Sequence, residues 1–234
     1  MKKNIPNFTA LTTFDLKKHP FAIDMINSFN VNWPENIDLI VFLENSHLLS
    51  GRKISKRLII KDFHKEVPEY NIFCKKFKHQ KKFTDDFRLN AFRFAYKVYA
   101  IHKAMKSNKS DYFIWLDSDI KTHTKIPLSF LENLTNEDYY LSYLGRNHIK
   151  NKFLRYSECG FLIFNTTHNL HNLFWKEMMR MYDDGMLFDL PEWHDSYIFD
   201  IVRKKLEEEK GLKNFNITDL KLVKIPDEPD DHVF

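Results

Sequence analysis

The chain has 234 residues, 43% hydrophobic and 15% aromatic, which is enough to bury a core and too apolar for a disordered polymer. Thirty-six Lys and Arg face 32 Asp and Glu, and the net charge of +4 is spread along the sequence, short of a nucleic-acid footprint. Cys74 and Cys159 lack metal-type spacing, the start MKKNIPNF has no apolar signal core, and no run reaches membrane-spanning length. A reduced, cytoplasmic protein without an integral membrane segment is expected.

Phe8–Phe14 (FTALTTF) predicts a first strand, with Thr12, Thr13 and Asp15 at its end. Pro20–Asn30 carries Phe21, Met25 and Phe29 at helical spacing, and Ile37–Leu43 (IDLIVFL) reads as a second buried strand. Strand, helix and strand in so short a span form a βαβ unit and favour a parallel sheet. Leu58–Ile60 is a candidate short strand, and Lys75–Lys82 (KKFKHQKK) is a solvated face or an anion-attracting rim. Asp85–Met105 predicts a helix, because Phe87, Ala91, Phe94, Ala95, Val98, Ile101 and Met105 recur at steps of three and four. Asn90, Arg93 and Lys97 form a second stripe that either faces solvent or meets a phosphate.

Tyr112–Leu116 (YFIWL) fits a strand buried on both faces. It stops at Asp117-Ser118-Asp119, which is either an ordinary turn or a carboxylate pair at the ligand-binding edge of an α/β sheet. Two carboxylates so close repel unless a cation lies between them, and hard divalent cations prefer oxygen. Pro127–Leu134 predicts a short helix, Asp138–Leu144 a strand ending at Gly145-Arg146, and Phe161–Phe164 a strand preceded by Glu158-Cys159-Gly160. Leu170–Tyr182 predicts a helix, and Asp189-Leu190-Pro191-Glu192 signals the start of another that turns Trp193, Tyr197, Ile201 and Val202 inward. From about residue 222 the Pro- and Asp-rich sequence reads as an irregular tail, whole or truncated. One domain spanning 1–234 is the expected organisation.

Asp-x-Asp at a strand end serves several metal-assisted reactions. The haloacid-dehalogenase arrangement fits poorly, since half the chain precedes the motif and Lys121 stands where Thr or Val is wanted. A two-metal nuclease could recruit Glu158 and Asp195 but wants a basic groove that the charge does not support. The order of blocks NAFRFAYKVYAI, IWLDSDI, YLGR, ECGF and EWHDSYIFD resembles nucleotide-sugar glycosyltransferases of the GT-A class over residues 8 to 205, and most of all a bacterial and phage GT-A-like group.

That resemblance implies a single GT-A (Rossmann-like) α/β domain, with a mostly parallel central sheet flanked by helices. It implies a UDP- or GDP-linked sugar donor and a glycan, lipid-linked or protein hydroxyl as acceptor, with no nucleic-acid partner. Asp117 and Asp119 would hold Mn2+ or Mg2+, and Thr12, Arg93, Lys97 and Asp117 would face the nucleotide. Asp195 would be the acceptor-activating base, or else a carboxylate favoured by a helix N-terminus. Glu158 would contact the donor sugar or brace Gly160, which admits close backbone approach or marks a turn. Trp193 and His194 would wall the acceptor site, or Trp193 would be core; Arg146 would meet phosphate or lie on the surface. The late metal-binding His of that class would be His232 here, or else is lost by truncation. A non-catalytic nucleotide-sugar or carbohydrate-binding module is the alternative to transfer.

Overall fold

The computed structural model describes residues 6–46, 55–82, 85–146 and 156–220, so the tail and His232 lie outside the described residues. Seven strands form one sheet: β1 (Phe8–Asp15), β2 (Asp38–Glu44), β3 (Leu58–Asp62), β4 (Tyr112–Leu116), β5 (Leu141–Leu144), β6 (Glu158–Asn165) and β7 (Asn214–Asn216). Their order is β3-β2-β1-β4-β6-β5-β7, and only β6 runs against its neighbours. The helices are α1 (Ala22–Asn32), α2 (Phe63–Glu66), α3 (Pro68–Lys76), α4 (Ala91–Ser107), α5 (Leu128–Asn133), α6 (His171–Asp183) and α7 (Asp195–Lys210).

The central strands are apolar throughout because both faces are covered. Leu11, Ile40, Phe42, Phe113, Trp115, Leu162 and Phe164 point to the side packed by α3, α4, α6 and α7. Ala10, Phe14, Val41, Ile114, Leu116 and Ile163 point to the side of α1 and α5. The period of two along each strand thus fills two cores at once.

Helix α1 leaves β1 on one face and leads to β2, whereas α4 arrives at β4 from the other face. The sheet therefore grows in opposite directions on the two sides of β1. Where strand order reverses in this way, the helices diverge and leave a crevice outside the carboxyl ends of the two strands. Here those ends are Asp15 and Asp117.

Two helix starts fall later than their sequence signals. Asp86 caps a short 3-10 turn at Phe87–Leu89, and Asn90 then caps α4 by accepting the Arg93 N–H at 3.1 Å. α7 begins at Asp195 rather than near Pro191. The Trp193 N–H is spent on the Arg88 carbonyl (2.6 Å) and its indole on Leu190 (3.0 Å), so the backbone before His194 is committed elsewhere.

Candidate active site

Asp117 leaves β4 with its N–H bonded to the Gly160 carbonyl at 2.8 Å, so the end of β4 is tied to the start of β6. Its Oδ1 accepts from the Trp115 indole (2.6 Å) and from Lys97 Nζ (3.0 Å). Lys97 also meets Asp195 Oδ2 at 2.8 Å, donates to the Cys159 carbonyl and lies 5.1 Å above the Trp115 ring. One ammonium thus bridges the end of β4 and the first residue of α7.

Desolvation raises the Asp117 carboxyl to about 6, Asp195 and Asp119 push the same way, and Lys97 pulls against them. Because 36% of the Asp117 side chain stays open to solvent, the direction of this rise is firmer than its size. Desolvation alone would lower Lys97, but Asp117 and Asp195 outweigh it and hold the ammonium above its ordinary range.

Lys97 therefore does not share the exposed stripe of Asn90 and Arg93. It is 9% exposed and points under the crevice, while the other two are exposed. Thr12 is fully enclosed within β1, opposite Val41. The strand continues to Asp15, whose Oδ1 accepts from Asn45 (2.8 Å) and the Lys17 N–H (2.9 Å). Burial would raise Asp15, but these bonds and Lys18 hold it low. Trp193 is packed inward at 4% exposure, edge-on to Phe188, with Lys82 4.3 Å above its ring. His194 is buried as well and caps α7: Nδ1 accepts the Tyr197 N–H at 3.4 Å, and Nε2 lies 3.0 Å from Glu192 Oε2. Asp119 is exposed at the rim.

Glu158 is pinned from two sides, by an ion pair with Arg146 and by the Gly160 N–H at 2.9 Å. A Cβ at position 160 would stand 3.1 Å from Glu158 Oε1 and 3.4 Å from Asp117 Oδ2, so glycine is what lets these two carboxylates converge. Sequence reasoning singled out Arg146 but not its pairing with Glu158, and it missed Asn45, the partner of Asp15. Both carry left-handed backbone (φ 50° and 60°), the only described non-glycine residues that do, and both follow strands ending at the crevice edge. Such conformations cluster at functional sites.

Asp117 Oδ2 and Asp119 are oxygen donors of the kind hard divalent cations take, and neither has a hydrogen-bond or ion-pair partner among the described residues. Those residues contain no group of three or more His, Cys, Asp and Glu able to enclose an ion. The pair fits a cation that completes its shell with phosphate and water, the usual way of holding Mg2+, rather than a closed protein cage.

No family model matches the sequence, and no curated protein matches it. The fold is similar to that of mouse xyloside xylosyltransferase 1 in its apo form, with a TM-score of 0.55 at 14% identity over 89% of this chain and 84% of that one. It is similar to the galactosyltransferase LgtC solved with donor and acceptor sugar analogues, with a TM-score of 0.55 at 13% identity over 82% and 69% of the two chains. It is also similar to the apo glycosyltransferase GlyE of Streptococcus pneumoniae, with a TM-score of 0.53 at 13% identity over 85% of this chain but 43% of that one. At these identities the likeness establishes the fold alone: an α/β domain of GT-A architecture.

Proposed function

We propose that the chain is a metal-dependent glycosyltransferase moving a sugar from a UDP- or GDP-linked donor to a hydroxyl on a glycan, a lipid-linked sugar or a protein. The observation that carries this reading is the Asp117–Lys97–Asp195 clamp at the switch point of a GT-A sheet. Its sequence blocks resemble those of bacterial and phage GT-A-like proteins. Its two free cysteines suit a reducing cytoplasm, and no described helix is long and apolar enough to cross a membrane.

In this reading Asp117 Oδ2 and Asp119 hold Mn2+ or Mg2+. The bound ion supplies the positive charge that offsets the departing diphosphate. Arg93, exposed one turn before Lys97, adds a cation on the donor side. Asp195 takes the proton of the acceptor hydroxyl. Lys97, fixed on the other oxygen of that carboxylate, orients it and keeps the charges of Asp117 and Asp195 from repelling. Glu158, held by Arg146 and the Gly160 N–H, stands ready to accept from donor-sugar hydroxyls.

The same clamp supports a second reading, a nucleotide-sugar-binding protein without turnover, because Lys97 already occupies one oxygen of each carboxylate. Release of nucleoside diphosphate from UDP- and GDP-sugars by the full chain, with Mn2+ and an acceptor panel, separates the two. Transfer predicts release that EDTA abolishes and that Asp119→Ala lowers about a hundredfold. Donor-induced thermal stabilisation with no release from any donor and acceptor pair favours the binding reading. Normal turnover by Asp119→Ala removes the metal assignment.

A further inference from the structure

Beside Asp195 a group of rings surrounds His194. The centroids of Phe87, Phe94, Tyr156 and Tyr197 lie 5.8, 5.9, 4.8 and 6.1 Å from the imidazole. His194 is buried, yet Phe87 keeps 56% of its surface exposed, among the largest apolar exposures of the described residues. Phe87 also packs against Phe94, 6.4 Å between centroids, one turn before the Lys97 that grips Asp195, which links this exposed ring to the candidate base.

The backbone that carries the ring is fixed on both sides. Asp86 caps the turn that carries Phe87, and the next carbonyl, that of Arg88, accepts the Trp193 N–H. Around it stand polar groups of fixed orientation. Arg88 grips Asp86 through Nε and Nη2 at 2.8 and 2.7 Å, and Glu192 accepts from the Tyr156 hydroxyl and meets His194. A flat apolar surface rimmed by carboxylates and a guanidinium matches a ligand with one C–H face and an edge of hydroxyls. Arg88 compensates Asp86, and Glu192, which meets only a hydroxyl and an imidazole among the described residues, counts against an anionic ligand.

We propose that Phe87 is the platform on which the acceptor's pyranose ring stacks, so that the acceptor is a neutral saccharide. This rests on the glycosyltransferase reading above, with Asp195, the residue after His194, as base. Trp193, packed inward, does not supply that surface; Phe87 does.

The test is saturation-transfer NMR on the full chain with methyl glucoside, methyl galactoside, methyl mannoside, methyl N-acetylglucosaminide, cellobiose and lactose. A serine- and threonine-containing peptide is run in parallel. The expected result is contact to the ring C–H protons of at least one saccharide. Phe87→Ala weakens its affinity about tenfold, whereas Phe87→Trp keeps it within about threefold. Ile72→Ala, which removes an exposed apolar side chain on α3, leaves it unchanged. Unaltered thermal unfolding of Phe87→Ala guards against a folding artefact. The proposal is overturned if no saccharide contacts the wild type, if only the peptide binds, or if Phe87→Ala binds as well as wild type. Saccharide binding through Phe87 with no donor turnover under any condition keeps the platform and removes the transfer reading.

Discussion

At the scale of single residues, Lys97 does the most to hold the site together. Its ammonium separates two carboxylates in a nearly closed space, and removing it leaves Asp117 and Asp195 as neighbouring charges with no counter-ion. Lys97→Met should lower unfolding free energy by about 3 kcal/mol, as breaking a buried pair typically does. Urea unfolding at neutral pH measures this, and adding Asp195→Asn to the same chain should recover part of the loss. If Lys97→Met unfolds at the wild-type midpoint, the clamp contributes nothing to the fold. Local pattern could not reveal this partnership. Asn90, Arg93 and Lys97 share a stripe by spacing, but Asp195 lies about a hundred residues further on, and only the closed fold brings it to Lys97. The carboxylates themselves were readable, because Asp117 and Asp119 interrupt a strand whose every preceding residue is apolar.

At the scale of elements, the strands were the most legible part, and β1, β2, β4 and β6 all contain the apolar runs that announce them. Boundaries were less so, for a definite reason: cap chemistry outranks periodicity. Phe87 keeps the helical spacing of the stripe behind it, yet Asp86 and Asn90 cap in succession and break the helix between them. Asn90→Ala removes the acceptor for the Arg93 N–H and should cost about 1 kcal/mol. It should also loosen the first turn of α4, which carries Arg93. Hydrogen exchange at the Arg93 amide reports the cap directly, and unchanged protection there would show that Asn90 is dispensable. β7 was invisible in the sequence, since Asn214–Asn216 is three residues of mixed polarity. It forms because β5 offers an open edge and Asn216 accepts the Gly145 N–H at 2.9 Å. A Cβ on Gly145 would fall 2.5 Å from the Asn216 amide, so Gly145→Ala should detach this edge and lower stability by about 1–3 kcal/mol, read by thermal unfolding.

At the scale of the whole molecule, acid should weaken the fold through two histidines far from the crevice. His102 and His171 face the groove between α4 and α6, His102 stacked on Trp175. Burial lowers both to about 4; Lys106 and the other histidines on that side press the same way, and Glu69 opposes it at His102. The unfolded chain gains their protons near 6.5 and the folded chain does not, so their contribution to stability is lost as pH falls from 6.5 to 4. Asp117 works in the opposite sense over part of that range, because the folded state takes up its proton first. His102→Gln with His171→Gln should flatten the fall in urea midpoint between pH 7 and 4.5 relative to wild type. Parallel pH profiles for the two chains would rule the histidines out.

The reversed strand β6 carries a consequence for how this architecture tolerates change. Its first residues abut the finish of β4, and that alignment sets Gly160 against Asp117. Sliding β6 along β4 by two positions would keep every apolar side chain on its proper face. It would, however, carry Gly160 and the braced Glu158 out of line with the carboxylates. Folding therefore answers to hydrophobic alternation, whereas chemistry answers to a single alignment out of several that alternation permits, and variants of β6 can be well packed yet inert.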